Sequence, residues 1–240
     1  MGTRQRIDKI LSNMGYGTRK EVKELIKSGS VEIDGTVVKD SGQQVEAESQ
    51  EIKVGGRRLF YKDTIYILMN KPQGVISATE DSRERTVVDL LSDEFKAFNP
   101  FPVGRLDKDT EGLLLLTNDG QLTHRLLSPK KHVPKTYLAK IMGRVTEEDV
   151  EAFNSGVTLE DGYRTMPSQL KILESGEASL VEITIYEGKY HQVKRMFKSV
   201  DKEVIYLKRI SMGDLKLDET MELGDFRELN EKELRIIGIE

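Results

Sequence analysis

The chain has no cysteine and no tryptophan, and its only histidines are His124, His132 and His191. Without cysteine there is no disulfide, no thiolate metal site and no thiol nucleophile. With so few histidines, a histidine-based zinc centre is not expected. Long apolar runs are missing too: no stretch approaches the roughly 18 unbroken apolar residues of a spanning helix. The N-terminal Met1-Gly-Thr-Arg-Gln-Arg segment has none of the apolar block of a signal peptide. These absences favour a reducing cytoplasm and no membrane. What is present is charge: 32% of the 240 residues are Asp, Glu, Lys or Arg, against 37% hydrophobic. That apolar share suffices for a globular core, and the length allows one large domain or two ordinary ones.

The net charge of −4 argues, as an average, against a nucleic-acid partner. The distribution reverses that. Residues 122–144 carry six basic side chains and no acidic one: Arg125, Lys130, Lys131, Lys135, Lys140 and Arg144. Residues 188–211 hold seven basic against two acidic, whereas 145–187 hold two against ten. Phosphate binding depends on local potential, so opposed blocks can give a cationic face on an acidic molecule.

Along the chain, Ile7, Ile10, Leu11 and Met14 keep a helical period, ended by Gly15 and Gly17. Thr18 with Glu21 predicts a capping box. Val22, Leu25 and Ile26 then supply the buried stripe of a second helix. Alternation around Asp34-Gly35 predicts a hairpin. Residues 49–64 are polar and read as the end of this module plus a linker. Beyond them, Ile65–Met69, Leu113–Leu116, Thr136–Ile141, Ala178–Ile185 and Val204–Ile210 read as strands. Thr86–Leu91, Leu122–Leu127, Glu147–Phe153 and His191–Val200 read as helices. Strands interspersed with helices predict an α+β fold with a mixed or antiparallel sheet.

On the second helix Arg19, Lys20, Lys23 and Lys27 fall opposite the apolar stripe. With Arg4, Arg6 and Lys9 they can form a basic patch. Arg6-Ile-Asp-Lys-Ile-Leu, Gly17-Thr-Arg-Lys-Glu-Val and Ile26-Lys-Ser-Gly-Ser-Val-Glu-Ile-Asp-Gly35 together resemble the alpha-L RNA-binding domain. That module occurs in a ribosomal small-subunit protein and in many RNA modifiers.

The segment richest in chemistry runs from Pro102 to Gly120, an acidic loop leading into an apolar strand. Asp107-Lys-Asp109-Thr-Glu111-Gly112 has the look of a calcium loop, but its twelfth position is Asn118 and a buried strand follows. Asp107 and Asp109 could be paired carboxylates for glycoside hydrolysis. Sugar sites favour aromatic platforms, however, and the chain has no tryptophan.

Gly104-Arg-Leu-Asp107, Asp109-Thr110 and Gly112-Leu113 closely resemble the central motif of pseudouridine synthases of the small-subunit ribosomal RNA type. Leu68-Met-Asn-Lys71-Pro72-Gln-Gly74, Lys135-Thr-Tyr137-Leu and Glu187-Gly-Lys-Tyr-His191-Gln192-Val-Lys194-Arg195-Met-Phe197 resemble three further motifs of that family, in the same order. The resemblance spans nearly the whole chain. It implies a small N-terminal α/β module over 1–60 and a synthase domain over 61–240 with a mixed, mainly antiparallel sheet and flanking helices. It implies isomerisation of a uridine in RNA to pseudouridine without cofactor or metal. Asp107 holds the position of the catalytic aspartate, attacking either ribose carbon 1′ or the base.

A carboxylate nucleophile must be ionised, which a neighbouring cation favours. Arg105 is two residues away, and the family places a cation at Lys194 to pair with the aspartate. Tyr137 corresponds to the tyrosine that stacks on the target base. Lys71, Arg105, His191, Gln192 and Arg195 are the candidate substrate contacts, and Asp109 and Thr110 shape the loop. Candidate RNA contacts are Arg4, Arg6, Lys9, Arg19, Lys20, Lys23, Lys27, Lys130, Lys131 and Lys135. The motif around Tyr190 favours 16S over 23S ribosomal RNA. The expected partners are ribosomal RNA or small-subunit assembly particles, and a monomer is expected. A non-catalytic RNA-binding assembly factor on the same scaffold is the competing class.

Overall fold

Periodicity becomes packing first at the N-terminal end. A computed structural model of the chain describes residues 4–47, 49–59 and 61–239. Two structural units emerge: one of the residues up to Ile65 together with Leu91–Pro100, the other of Tyr66–Leu90 and everything from Phe101 on.

In the first unit β1 (Gln5–Arg6) leads into α1 (Ile7–Asn13) and α2 (Arg19–Lys27). The Thr18–Glu21 capping box forms as the sequence predicts, with Thr18 N–H donating to Glu21 at 2.7 Å. Ile7, Ile10 and Leu11 of α1 and Val22 and Ile26 of α2 are fully buried in one core. That core is closed by β2 (Val31–Ile33), β3 (Thr36–Val37) and β4 (Gln44–Val45), then β5 (Ile52–Val54) and β6 (Arg57–Leu59). The order β3-β2-β5-β6 makes an antiparallel sheet, while β4 pairs with β1.

The expected linker over 49–64 is therefore corrected. Its residues 52–59 form the β5–β6 hairpin, with Ile52, Val54 and Leu59 in the core. Gly55 and Gly56, at φ 57° and 78°, supply the two left-handed turn positions that such a hairpin needs. A short helix, α3 (Asp93–Lys96), also belongs to this unit.

The second unit is built on one long sheet. Its strands are β7 (Tyr66–Lys71), β8 (Phe101–Pro102), β9 (Glu111–Thr117), β10 (Lys135–Met142), β11 (Gln169–Glu174), β12 (Ala178–Ile185), β13 (Glu203–Met212), β14 (Leu215–Lys216) and β15 (Phe226–Glu228). The path is β11-β12-β10-β13-β9-β7-β15, with β8 beside β9 and β14 beside β13. Every pairing is antiparallel except β13 with β9. The helices are α4 (Gly120–Leu127), α5 (Glu147–Ser155), α6 (Gln192–Lys198) and α7 (Glu231–Ile236). The fold is thus α+β with a mixed, mainly antiparallel sheet.

The middle of β9 is an unbroken apolar run because both of its faces are covered: Leu113 to Leu116 are all fully buried. Leu113 and Leu115 join Leu122 and Ile237 in one cluster. Phe153 of α5 meets Phe197 of α6 with ring centroids 4.9 Å apart. β12 alternates as its sequence does, with Ser179, Val181, Ile183 and Ile185 buried. Among the described residues no helix is long and apolar enough to cross a membrane.

Candidate active site

The loop between β8 and β9 carries Arg105, Asp107 and Asp109, and its backbone is fixed from beneath. Ser77 Oγ donates to the Leu106 carbonyl at 2.9 Å and accepts from the Leu106 N–H at 3.0 Å. Gly74 N–H donates to the Lys108 carbonyl at 2.8 Å. Lys71, at the end of β7, is 0% exposed, yet it is a lysine. Its ammonium donates to the carbonyls of Pro72 at 3.0 Å, Asp107 at 3.1 Å and Thr110 at 3.0 Å. Burial pushes its pKa down to about 8, although Asp109, Asp107 and Glu111 pull the other way. Lys71 is therefore not a substrate contact; it holds the loop by its main chain.

The strand after the loop is positioned as tightly. Gly112 has φ +103°, and a Cβ there would lie 2.2 Å from the Arg209 carbonyl oxygen of β13. Only glycine lets β13 approach this closely. Tyr206 Oη donates to Glu111 at 2.8 Å, and burial, with that hydrogen bond, raises the tyrosine pKa.

Side chains converge on Asp107 from α6 and from His191, the residue that caps it. Lys194 Nζ stands 3.3 Å from one carboxylate oxygen and His191 Nε2 3.6 Å from the other. Lys194 also donates to Asp109 at 2.5 Å. Partial burial works against the charge on Lys194, but the two aspartates outweigh it and raise its pKa. Burial likewise works to raise Asp109, and the Lys194 contact reverses this, leaving its pKa lowered. Asp109, expected only to shape the loop, thus shares the cation. The signal for it was its two-residue spacing from Asp107, which points both side chains the same way in an extended loop.

The other expected site residues separate into groups. Arg105 is exposed and makes no ion pair among the described residues, so the cation beside Asp107 is Lys194. Tyr137 lies on β10, registered with Arg209 of β13, which in turn registers with Gly112 of β9. It is therefore two strands from the loop's exit, about 10 Å across the sheet. The residue is 7% exposed, and its hydroxyl has no hydrogen-bond partner among the described residues. Gln192 is buried: its amide donates to Glu187 at 2.8 Å and its carbonyl accepts from the Lys189 N–H at 2.8 Å. It braces a turn and is corrected from substrate contact to support. Arg195 is drawn to Asp161 at 2.5 Å and Glu160 at 3.5 Å.

Two clefts share His191 and Lys194. One, of about 440 Å³, is lined by Gln73, Gly74, Asp107, Lys108 and Asp109. The other, of about 530 Å³, is lined by Glu160, Asp161, Tyr190, Arg195 and Lys198. Among the described residues no group of three or more His, Asp or Glu side chains is placed to hold a metal ion.

Of the cations expected to meet RNA, Lys9, Arg19, Lys20, Lys23, Lys130 and Lys131 are exposed with no ion-pair partner among the described residues. Arg4 pairs with Glu46, Arg6 with Asp8 and Lys27 with Glu24. Lys135 turns back to the Val133 carbonyl at 2.7 Å, and burial, helped by Arg209, pushes its pKa down to about 8. It is corrected from an outward phosphate contact to a half-buried strand lysine.

Asp107 thus sits on a loop pinned through its main chain, faced by the Lys194 ammonium and open to a cleft. The sequence pattern of the RNA pseudouridylate synthases matches residues 65–199, and that of the S4 domain matches residues 5–58. Over 97% of its length the chain is 55% identical to an RNA pseudouridine synthase of Bacillus subtilis (strain 168), YtzG, and covers 98% of it. It is 42% identical to ribosomal small subunit pseudouridine synthase A of Vibrio cholerae, covering 97% of this chain and 99% of that one. It is 39% identical to ribosomal large subunit pseudouridine synthase B of Bacillus subtilis, covering 96% and 94%. A solved pseudouridylate synthase superposes with a TM-score of 0.68 at 37% identity, covering 97% of this chain and 99% of that one. The chain belongs to the RNA pseudouridylate synthase family, with an S4 RNA-binding domain in front of the catalytic one.

Proposed function

We propose that the protein converts one uridine of ribosomal RNA to pseudouridine, with 16S RNA of the small subunit as its substrate and Asp107 as its catalytic group. The observation that carries this is the Asp107 carboxylate 3.3 Å from the Lys194 ammonium, on a loop pinned through its main chain and open to a cleft. The reaction is an isomerisation. The bond from ribose carbon 1′ to N1 breaks and one from carbon 1′ to carbon 5 forms. Carbon 5 loses a proton and N1 gains one, so no co-substrate is required.

In this reading Lys194 keeps negative charge favourable at Asp107 as the glycosidic bond breaks. Tyr137 meets the uracil after it leaves the RNA stack, where stacking offsets part of the cost of extrusion. The exposed cations of α2 and of residues 130–131 bind phosphates and make affinity salt-dependent. Unpaired or loop RNA is the expected target, because A-form helices hide base edges. The protein acts as a monomer in the cytoplasm, on free RNA or on small-subunit assembly particles.

A 23S target is the second reading, favoured by the similarity to the large-subunit enzyme of Bacillus subtilis. The test is to incubate the protein with 16S and 23S transcripts and with small-subunit particles, then map pseudouridine chemically. Product in 16S that disappears with Asp107→Asn, while RNA binding is retained, supports the reading. Product in 23S alone replaces the target. Full turnover by Asp107→Asn removes Asp107 from its role. Tight binding with no product on any substrate makes the protein a non-catalytic assembly factor.

A further inference from the structure

The turn before α6 presents an aromatic surface that the reaction above does not use. Tyr190 is 74% exposed, more than any other large hydrophobic side chain among the described residues. A single surface aromatic needs no explanation. This one, however, is held in place. Gln192 ties the turn at both ends, accepting from the Lys189 N–H and donating to Glu187, each at 2.8 Å. Glu187 in turn accepts from the Met166 N–H at 3.0 Å and from Tyr163 Oη at 2.5 Å. His191 then takes φ 46°, a left-handed conformation that a residue with a Cβ keeps only where its surroundings impose it.

The braced turn lays the Tyr190 ring on the His191 ring, with centroids 3.8 Å apart and planes 17° apart. The same imidazole reaches Asp107 at 3.6 Å. Two stacked rings and one nitrogen–oxygen contact therefore link solvent to the Asp107 carboxylate, and the Tyr190 ring at their outer end is largely open to solvent. Lys194, Arg195 and Lys198 line the cleft beside it, with Glu160 and Asp161 pairing with the latter two.

A planar π-face beside cations, one ring away from the group that acts on a nucleotide, suits a nucleobase. We propose that Tyr190 is a stacking platform for an unpaired base that flanks the target uridine. A base in a helix keeps both faces covered by its neighbours. Stacking on Tyr190 therefore selects an opened strand rather than a particular base. This assignment rests on the role given to Asp107 above.

Tyr190→Ala, Tyr190→Phe and Tyr190→Trp separate the ring from its hydroxyl, and at so exposed a position none of them should disturb the fold. The substrate is a short single-stranded RNA carrying the mapped uridine, intact or with an abasic site at each flanking position in turn. Tyr190→Ala should weaken binding and raise KM roughly tenfold, within the range of one base–aromatic stack, with kcat within about twofold. Phe and Trp should restore wild-type affinity. One abasic position should cost the wild type the same factor and cost Tyr190→Ala almost nothing, because each removes the same stack.

Unchanged affinity in Tyr190→Ala, failure of Phe to rescue, or losses that add independently would overturn the platform. So would a change in self-association or protein capture with RNA affinity intact. Affinity is read by filter binding, without turnover. If no uridine is modified by the wild type, the catalytic reading falls and the platform is judged on the affinities of the Ala, Phe and Trp variants for unstructured RNA.

Discussion

Lys71 Nζ donates to the main-chain carbonyl of Asp107 across 3.1 Å, from the end of a strand 36 positions earlier in the chain. A fully buried lysine without a carboxylate partner is unusual, since burying a charge is costly unless its hydrogen bonds are met. Here loop carbonyls meet them.

Lys71→Met should leave those carbonyls without a donor and cost roughly 3 kcal/mol. Urea unfolding measures it. Activity measured where the variant remains folded should fall through kcat, because the loop loses its support.

The same lysine gives a pH signature. In the unfolded chain it holds its proton up to about 10.5, whereas the folded protein releases it near 8. Between those values the unfolded state binds more protons at this site, so its contribution to stability rises with pH. Below pH 8 the contribution sits at its unfavourable limit. The stability gap between wild type and Lys71→Met should therefore widen from pH 7.5 to pH 9.5, and a narrowing gap would contradict the assignment.

Asp109→Asn separates the two carboxylates that share Lys194. It should leave turnover measurable, reduced by about tenfold, since Asp107 keeps the cation at 3.3 Å. Lys194→Met should cost about 100-fold or more in kcat, as for loss of one preorganised electrostatic partner. Lys194→Arg should restore part of that rate. Single-turnover pseudouridine formation reads all three.

Gly112→Ala places a methyl group 2.2 Å from the Arg209 carbonyl, at a φ that alanine disfavours. It should destabilise by roughly 3 kcal/mol or more. Thermal unfolding should show it, together with loss of activity, because β9 and β13 can no longer close.

Lys20→Glu and Lys23→Glu remove exposed cations of α2 that have no ion-pair partner among the described residues. Each should weaken RNA binding at low salt. For each phosphate that such a variant leaves unneutralised, the dependence of log affinity on log salt should flatten by about 0.7–0.9. Binding titrations at several salt concentrations check this, and catalysis at saturating RNA should hardly change.

Much of this was legible in the sequence because the signals were local. The Thr18–Glu21 cap, the stripe of α2, the Asp34-Gly35 turn and the alternation of β12 each occupy a few adjacent residues. The β5–β6 hairpin was hidden because Lys53, Arg57 and Arg58 dominate its composition. Its turn signal, Gly55-Gly56 between Val54 and Leu59, was nevertheless present. Lys71 stood out as part of a motif, but its burial could not be read. Lysine is a surface residue by default, and only the fold shows carbonyls from a distant loop converging on it. The same holds for Tyr190: periodicity tells which residues are buried, not which exposed ring is braced against His191.

The Lys71 ammonium grips loop carbonyls and no loop side chains. Its hydrogen bonds are therefore made without the side chains at positions 107 to 110, although the charges of Asp107 and Asp109 favour its protonated form. The shape of the loop and the chemistry it displays are set mainly by different atoms. If Asp107 carries the reaction as proposed, exchanging that one side chain should give an inactive protein of native architecture that still holds RNA, bound and unreacted.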